Sequence, residues 1–117
     1  MDNALEPICR AIDVEISHVW MVRAFLKHCD EAVDDEELAG VHRDLYDFML
    51  ALGPARDSGD WAGYLKQAKK KLTMLRKATE LFTAIQPEVS GHTNFRMAAQ
   101  SLAVAVGRIV VLVESAA

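Results

Sequence analysis

The fold is decided by residues 61–85, which read WAGYLKQAKKKLTMLRKATELFTAI. Apolar side chains recur in this segment at intervals of three and four residues, the spacing that places them on one face of an α-helix. Lysine and arginine fill many of the positions between them, so the opposite face is charged. The segment therefore predicts an amphipathic helix with one buried side. Its apolar positions are Trp61, Tyr64, Leu65, Ala68, Leu72, Leu75 and Phe82.

The same spacing recurs in three other segments of the chain. Each carries apolar residues that align when successive residues are placed 100° apart around a helix axis. Polar and charged residues fill most of the other positions, as expected for helices that turn one side towards a core. We therefore predict four helices, over residues 7–29, 35–52, 61–85 and 94–114.

Three interruptions separate the predicted helices. At Gly53 and Pro54, the glycine can adopt a left-handed capping conformation, and the proline opposes continuation of the helix. Between the third and fourth helices, Pro87 is followed by Thr93, which is a good N-cap residue. Asp34, in the acidic segment before the second helix, is the predicted N-cap of that helix.

Four amphipathic helices with short connections predict an all-α fold, a four-helix up-down-up-down antiparallel bundle. The length of 117 residues suits a single domain that spans the whole chain, 1–117. The segment from Val104 to Val113 is rich in β-branched residues and resembles a strand. We nevertheless predict helix there, because one isolated strand would have no partner in an otherwise helical chain.

The composition excludes several classes of protein. The chain is 51% hydrophobic with only six glycines and three prolines, which excludes collagen-like and disordered proteins. A net charge of −4 disfavours nucleic acid and anionic membranes as partners. The N-terminus lacks the basic and apolar segments of a secretory signal, and no uninterrupted apolar run approaches ~20 residues. We therefore expect a cytoplasmic protein with no membrane partner.

A second apolar stripe lies outside the predicted core faces. The third helix carries apolar residues at alternating intervals of four and three, and the fourth carries them at intervals of seven. Such spacings are typical of helices that pack against partner helices. An exposed apolar surface of this size favours a homodimer or larger assembly. The predicted interface contains Met74, Ala78, Leu81, Ile85, Met97, Val104 and Val111.

Glu15 is unusual because it lies within the apolar stripe of the first helix, where a carboxylate is costly unless it is paired or protonated. His18 follows three residues later, so the two form one Glu-x-x-His step. Di-iron bundles use two such steps and two further glutamates to bind metal, and this sequence contains a single step. Alternatively, Glu15 is structural and pairs with a cation or accepts a hydrogen bond from Tyr64.

Two further sets of residues are candidates for binding. Folding the second helix back on the first places Tyr46 and His42 near the level of His18, where they could line a small-molecule site. The outer side of the third helix is basic and could contact a polyanion, although weak pairing with acidic neighbours explains it more simply. The basic residues are Lys66, Lys69, Lys70, Lys71, Arg76 and Lys77.

From these patterns we expect a non-catalytic, oligomeric interaction or scaffold module, whose partner is a second copy or an unknown protein. We expect no enzymatic activity, no cofactor and no nucleic-acid partner. The first alternative is a bundle that binds a transition metal at Glu15 and His18, or a small molecule there with Tyr46 and His42. The second alternative is a polyanion-binding module that uses the lysines of the third helix.

Overall fold

A computed structural model of the protein describes residues 4–116. No residue in this range belongs to a β-strand, and the prediction of an all-α bundle is confirmed. A short helix, α2, precedes the second of the four long helices. The elements are α1 (Glu6–Lys27), α2 (Asp30–Val33), α3 (Glu36–Ser58), α4 (Trp61–Val89) and α5 (Thr93–Ser115).

The four long helices form a ring in which α1 packs against α3 and α5, and α4 packs against the same two helices. Arg56 near the end of α3 lies 3.5 Å from Asp13 near the start of α1. Phe25 near the end of α1 contacts Phe95 near the start of α5, with ring centroids 5.0 Å apart. Each pair joins the end of one helix to the start of its neighbour. The bundle measures 47 × 22 × 19 Å.

The core is built from the apolar stripes of all four long helices, as their periodicity predicts. Phe48, Tyr64 and Phe82 are the largest side chains that are fully buried. Tyr64 donates a hydrogen bond to Asp13 Oδ1 at 3.3 Å, so the predicted hydrogen bond from Tyr64 to Glu15 is wrong. Burial, and then the charge of Asp13, raise the pKa of the Tyr64 hydroxyl.

Side-chain caps begin three of the long helices. Asp35 accepts a hydrogen bond from the backbone N–H of Leu38 at 3.0 Å, so the predicted N-cap at Asp34 is wrong by one residue. Asp34 instead ends the short helix α2, which the sequence did not predict. Helix α4 is capped by Asp60. His92, not the predicted Thr93, caps α5 by accepting a hydrogen bond from the N–H of Asn94.

The predicted end of the second helix at Gly53 and Pro54 is wrong, because α3 continues through both residues to Ser58. A proline inside a helix leaves the carbonyl four residues earlier without its donor. Here that residue is Leu50, which lies on the outer side of the helix and is 54% exposed. The helix ends at Gly59, whose φ of 74° is left-handed.

The third predicted helix also continues beyond its expected end at residue 85. Helix α4 includes Pro87 and ends at Val89. The N–H of Ser90 bonds to the carbonyl of Gln86, and the side chain of Gln86 donates to the carbonyl of Ser90. These two hydrogen bonds hold the last turn together even though the proline interrupts the backbone ladder.

Candidate functional site

Exposed apolar side chains form a surface on α1 and α5 that we call the α1/α5 face. It consists of Val14 and Met21 on α1, and of Met97, Val104 and Val111 on α5, each between 42% and 65% exposed. On each helix these residues are seven positions apart, which keeps them on one line along the helix. A groove of about 640 Å³ lies between the two helices, lined by Val104 and Val111 of α5 and by Ala11 and Glu15 of α1.

The exposed side of α5 carries few charges. Of its 23 residues only Arg96, Arg108 and Glu114 are charged. Gln100 and Gly107 are among its other exposed residues. The outer surface of a bundle helix is normally rich in charged residues, as the exposed side of α4 is here. The α5 part of the α1/α5 face therefore has few of the charges that normally hydrate the outer surface of a helix.

Helix α5 is also long and apolar enough to cross a membrane by length and composition, with a mean hydropathy of 1.6 over an 18-residue window. The sequence has no uninterrupted apolar run of this length, but the criterion tolerates up to two charged residues within the window. Core helices of globular bundles meet the same criterion. A third of the window is buried within the bundle, where α5 packs against α1 and α4.

The part of the predicted interface that lies on α4 is largely inside the protein. Ala78 is buried, and Met74 and Ile85 are half-buried against the core, so little of these three side chains is exposed within one chain. The reason is that α4 packs against both α3 and α5 and therefore buries two apolar stripes. Of the α4 residues, Leu81 remains exposed, while Met97, Val104 and Val111 of α5 are exposed as predicted.

Glu15 lies beside the α1/α5 face, in a cavity of about 350 Å³ between α1 and α5 that His18 and Arg108 also line. Its side chain is 13% exposed, and Oε2 is 3.7 Å from Nη1 of Arg108. The other oxygen, Oε1, is buried and accepts no hydrogen bond from the described residues. The expected pairing with a cation is therefore present, although Arg108 is itself largely exposed and the ion pair is weak.

This cavity brings together the two predicted metal ligands, Glu15 and His18. A transition-metal site in a bundle needs at least three protein ligands. Among residues 4–116 there is no group of three histidine, cysteine or acidic side chains placed to hold one ion. The guanidinium of Arg108 also places positive charge beside the carboxylate. The residues present therefore do not fit a transition metal of the di-iron type.

Arg23, on the side of α1 that faces α3, forms a cluster that sequence reasoning missed. It is 7% exposed. The central carbon of its guanidinium is 4.1 Å from the ring centroid of Trp20 and 5.1 Å from that of Tyr46. Its Nε is buried and makes no hydrogen bond within the described part of the chain. We call Trp20, Arg23, His42 and Tyr46 the Arg23 cluster.

His42 is the fourth member of the Arg23 cluster. Its Nε2 is buried and has no hydrogen-bond partner among residues 4–116. Burial, and then the positive charges of Arg23 and Lys27, lower the pKa of His42. Of the two residues predicted to line a small-molecule site, Tyr46 contacts Arg23 and His42 lies one turn before Tyr46 on α3, whereas the metal candidates Glu15 and His18 lie in a different cavity.

The basic side of α4 is exposed, apart from Lys71, which is half-buried. None of its lysines or arginines lies within 4.0 Å of a carboxylate oxygen in the described residues. The predicted weak pairing with acidic neighbours is therefore not seen within one chain. The basic residues are Lys66, Lys69, Lys70, Arg76 and Lys77.

Comparisons of the chain with protein-family models, curated proteins and solved structures found no match.

Proposed function

We propose that the protein is a non-catalytic interaction module that pairs with a second copy of itself through the α1/α5 face. The observation that supports this is the exposed apolar series on two neighbouring helices, at seven-residue intervals on each. Exposed apolar surfaces of this extent on soluble proteins mark interaction sites. The cytoplasmic location belongs to the same proposal and stays a prediction from the sequence.

A second copy is a suitable partner because of the distribution of charge. In a two-fold symmetric interface each surface meets its own copy, so a strongly charged surface would repel itself. The basic side of α4 is such a surface. The α1/α5 face is not such a surface, because the charges beside it are few and of both signs, and Arg108 is paired with Glu15 and Arg10 with Glu6. It can therefore meet its copy without repulsion.

The size of the face also suits a dimer. Helix α5 is about 34 Å long at the standard helical rise, and two packed helices are about 20 Å wide. The pair therefore offers about 700 Å² per protomer, close to the 800 Å² per partner of a typical stable interface. Two such faces would pack helix against helix, as the four helices do within one chain.

Sedimentation equilibrium tests this proposal with two matched variants. Val111→Glu places a charge on the face at its most exposed residue in α5, and Leu50→Glu places the same charge at a similarly exposed position on α3. We expect wild type and Leu50→Glu to be dimeric at micromolar concentration. We expect Val111→Glu to dissociate at least about tenfold more readily, because a buried unpaired carboxylate is costly.

Three results would contradict the proposal. The first is a wild-type monomer at up to about 100 µM, a concentration at which even weak homodimers assemble. The second is equal dissociation of the two variants, which would mean that the face has no special role. The third is co-flotation of the monomer with phosphatidylcholine vesicles through α5, which would make lipid the partner. Circular dichroism of each variant confirms that it is folded.

A further inference from the structure

The Arg23 cluster contains a charge without a counterion. A guanidinium is always protonated in proteins, and burying it without an anionic partner is strongly unfavourable. Arg23 is 7% exposed, and no carboxylate in the described residues lies within ion-pair distance of it. Glu15 and Asp13, which are half-buried, are by contrast each paired with an arginine. Among residues 4–116, Arg23 is also the only charged residue that is buried rather than half-buried or exposed.

The two aromatic rings near Arg23 do not use its hydrogen-bond donors. Cation–π contacts engage the face of the guanidinium, whereas its N–H groups point outwards in the plane. Those donors are the part of the side chain that recognises carboxylate and phosphate groups. With Trp20 and Tyr46 restricting its movement, Arg23 pays less entropy when it binds such a group.

His42 provides a second unpartnered group at the same place. Its Nε2 is buried and has no hydrogen-bond partner among the described residues, and His42 lies on α3 one turn before Tyr46, whose ring is 5.1 Å from the guanidinium carbon of Arg23. In the tautomer with hydrogen on Nε2, or when protonated, His42 donates a hydrogen bond. An anion at this position would thus meet the guanidinium, a histidine donor and the positive charge of Lys27.

An apolar groove begins at the two rings of the cluster. It has a volume of about 600 Å³ between α1 and α3, and its walls include Trp20, Tyr46, Met49 and Leu50. Asp57, at the other end, is ion-paired with Arg56 at 3.2 Å, so its charge is balanced. A molecule with an anionic group at the cluster could therefore place an apolar group in this groove.

We propose that the Arg23 cluster binds the oxyanion of a small organic acid or phosphate monoester, with the apolar part of the ligand in the adjoining groove. Arg23 is the principal donor and His42 is the second donor. Trp20 and Tyr46 contact Arg23 and line the end of the groove nearest to it. The groove is distinct from the α1/α5 face, so this site can exist whether or not the chain forms the proposed dimer.

Nuclear magnetic resonance tests the site with phenyl phosphate as the probe, at constant ionic strength. The chain has two tryptophans, and Trp61 is buried far along the chain from the cluster, so its indole resonance is an internal control. We expect a saturable shift of the Trp20 indole and the His42 imidazole, with Trp61 unchanged. Inorganic phosphate should bind more weakly than phenyl phosphate because it places nothing in the groove, and neutral benzyl alcohol should bind weakest.

Arg23→Met and Arg43→Met are matched variants for this test. Both remove one positive charge, but Arg43 is an exposed residue of α3 without an ion pair in the described structure. We expect Arg23→Met to weaken phenyl phosphate binding at least about tenfold, as for the loss of a charged hydrogen bond, and Arg43→Met to leave it unchanged within about twofold. His42→Gln keeps Arg23 in place and should weaken phenyl phosphate binding by a smaller factor. It replaces Arg23→Met as the test variant if Arg23→Met does not fold.

The proposal is overturned if the Trp20 indole shows no saturable shift up to about 20 mM phenyl phosphate, a limit that covers even weak ligands. It is also overturned if folded Arg23→Met binds as tightly as wild type. Equal affinity for benzyl alcohol and phenyl phosphate would show an apolar groove without anion recognition, and this too would reject it.

Discussion

Arg23 occupies a position that helical periodicity assigns to the core, four residues after Val19 and three before Leu26. Its burial next to His42 leads to a prediction about the free protein. Arg23→Met removes a nearby positive charge while keeping most of the side-chain volume, so the pKa of His42 should rise. Burial, the larger cause of the lowered pKa, remains and should keep the value below 6.5.

A pH titration of the His42 imidazole by nuclear magnetic resonance measures this change. Arg43→Met is the control, because it alters net charge equally at an exposed position. A pKa of His42 that is identical in wild type and Arg23→Met would show that the two side chains do not interact.

The lowered pKa of His42 also affects stability. Because the unfolded chain binds the proton more tightly than the folded chain, protonation favours unfolding. This contribution is absent well above pH 6.5 and grows as the pH falls from 6.5 towards the folded-state pKa. We expect wild type to lose more stability than His42→Leu between about pH 7.5 and 5.5, measured by urea denaturation. Equal losses in the two proteins would contradict the prediction.

Gly63 is a residue-scale feature of the α4 N-terminus. A Cβ at this position would overlap the carboxylate of Asp60, which accepts a hydrogen bond from the Gly63 N–H at 2.9 Å. Alanine normally stabilises a helix by up to about 1 kcal/mol relative to glycine. We expect Gly63→Ala to give no such gain in wild type, but to give it in an Asp60→Ala background. Thermal denaturation of wild type, the two single variants and the double variant measures the coupling between Gly63 and Asp60. Equal effects of Gly63→Ala in both backgrounds would exclude this coupling.

At the scale of elements, α3 differs most from expectation. Gly53 is inside the helix, and a Cβ there would meet only Arg56 Nη2 at 3.8 Å, which is ordinary contact. Gly59 has a φ of 74°, which is unfavourable for any other L-residue. We therefore expect Gly53→Ala to stabilise the protein and Gly59→Ala to destabilise it, each by about 1 kcal/mol. A helix ending at residue 52 would give the opposite order in chemical denaturation.

The helices themselves could be predicted because apolar periodicity is a local property. Their ends could not, because Gly53 and Gly59 are equally plausible caps in the sequence. The choice depends on whether Pro54 is tolerated, and hence on which side of the helix Leu50 lies. The short helix α2 was missed for a related reason. Its four residues, Asp30–Val33, are too few to show a repeating apolar pattern.

The candidate sites were predictable to the extent that they lie on one helix. The seven-residue series on α5 depends on that helix alone, and Met97, Val104 and Val111 are exposed as expected. Whether the second stripe of α4 is exposed depends on the positions of α3 and α5. The Arg23 cluster combines α1 with α3, so its rings and the arginine meet only through tertiary packing, although a lone arginine in an apolar stripe was a usable signal.

At the scale of the molecule, the two proposed sites should respond differently to salt. Pairing through the α1/α5 face buries apolar surface, so its dissociation constant should stay within about threefold, or decrease, between 0.1 and 1 M NaCl. Phenyl phosphate binding at Arg23 should weaken over the same range, because screening and chloride competition act on charge. Sedimentation and titration at both salt concentrations measure the two effects. Dissociation of the dimer by salt would indicate an electrostatic interface instead.

The elongated form of the bundle, 47 Å by 22 and 19 Å, makes the mode of pairing visible in solution scattering. The α1/α5 face runs along the long axis, so two copies joined through it add to the thickness of the particle and leave its maximum dimension near that of one chain. Copies joined end to end would nearly double that dimension. Compared with a single chain, a pair-distance distribution that increases at short distances while its maximum dimension stays the same would therefore identify a flat, side-by-side dimer.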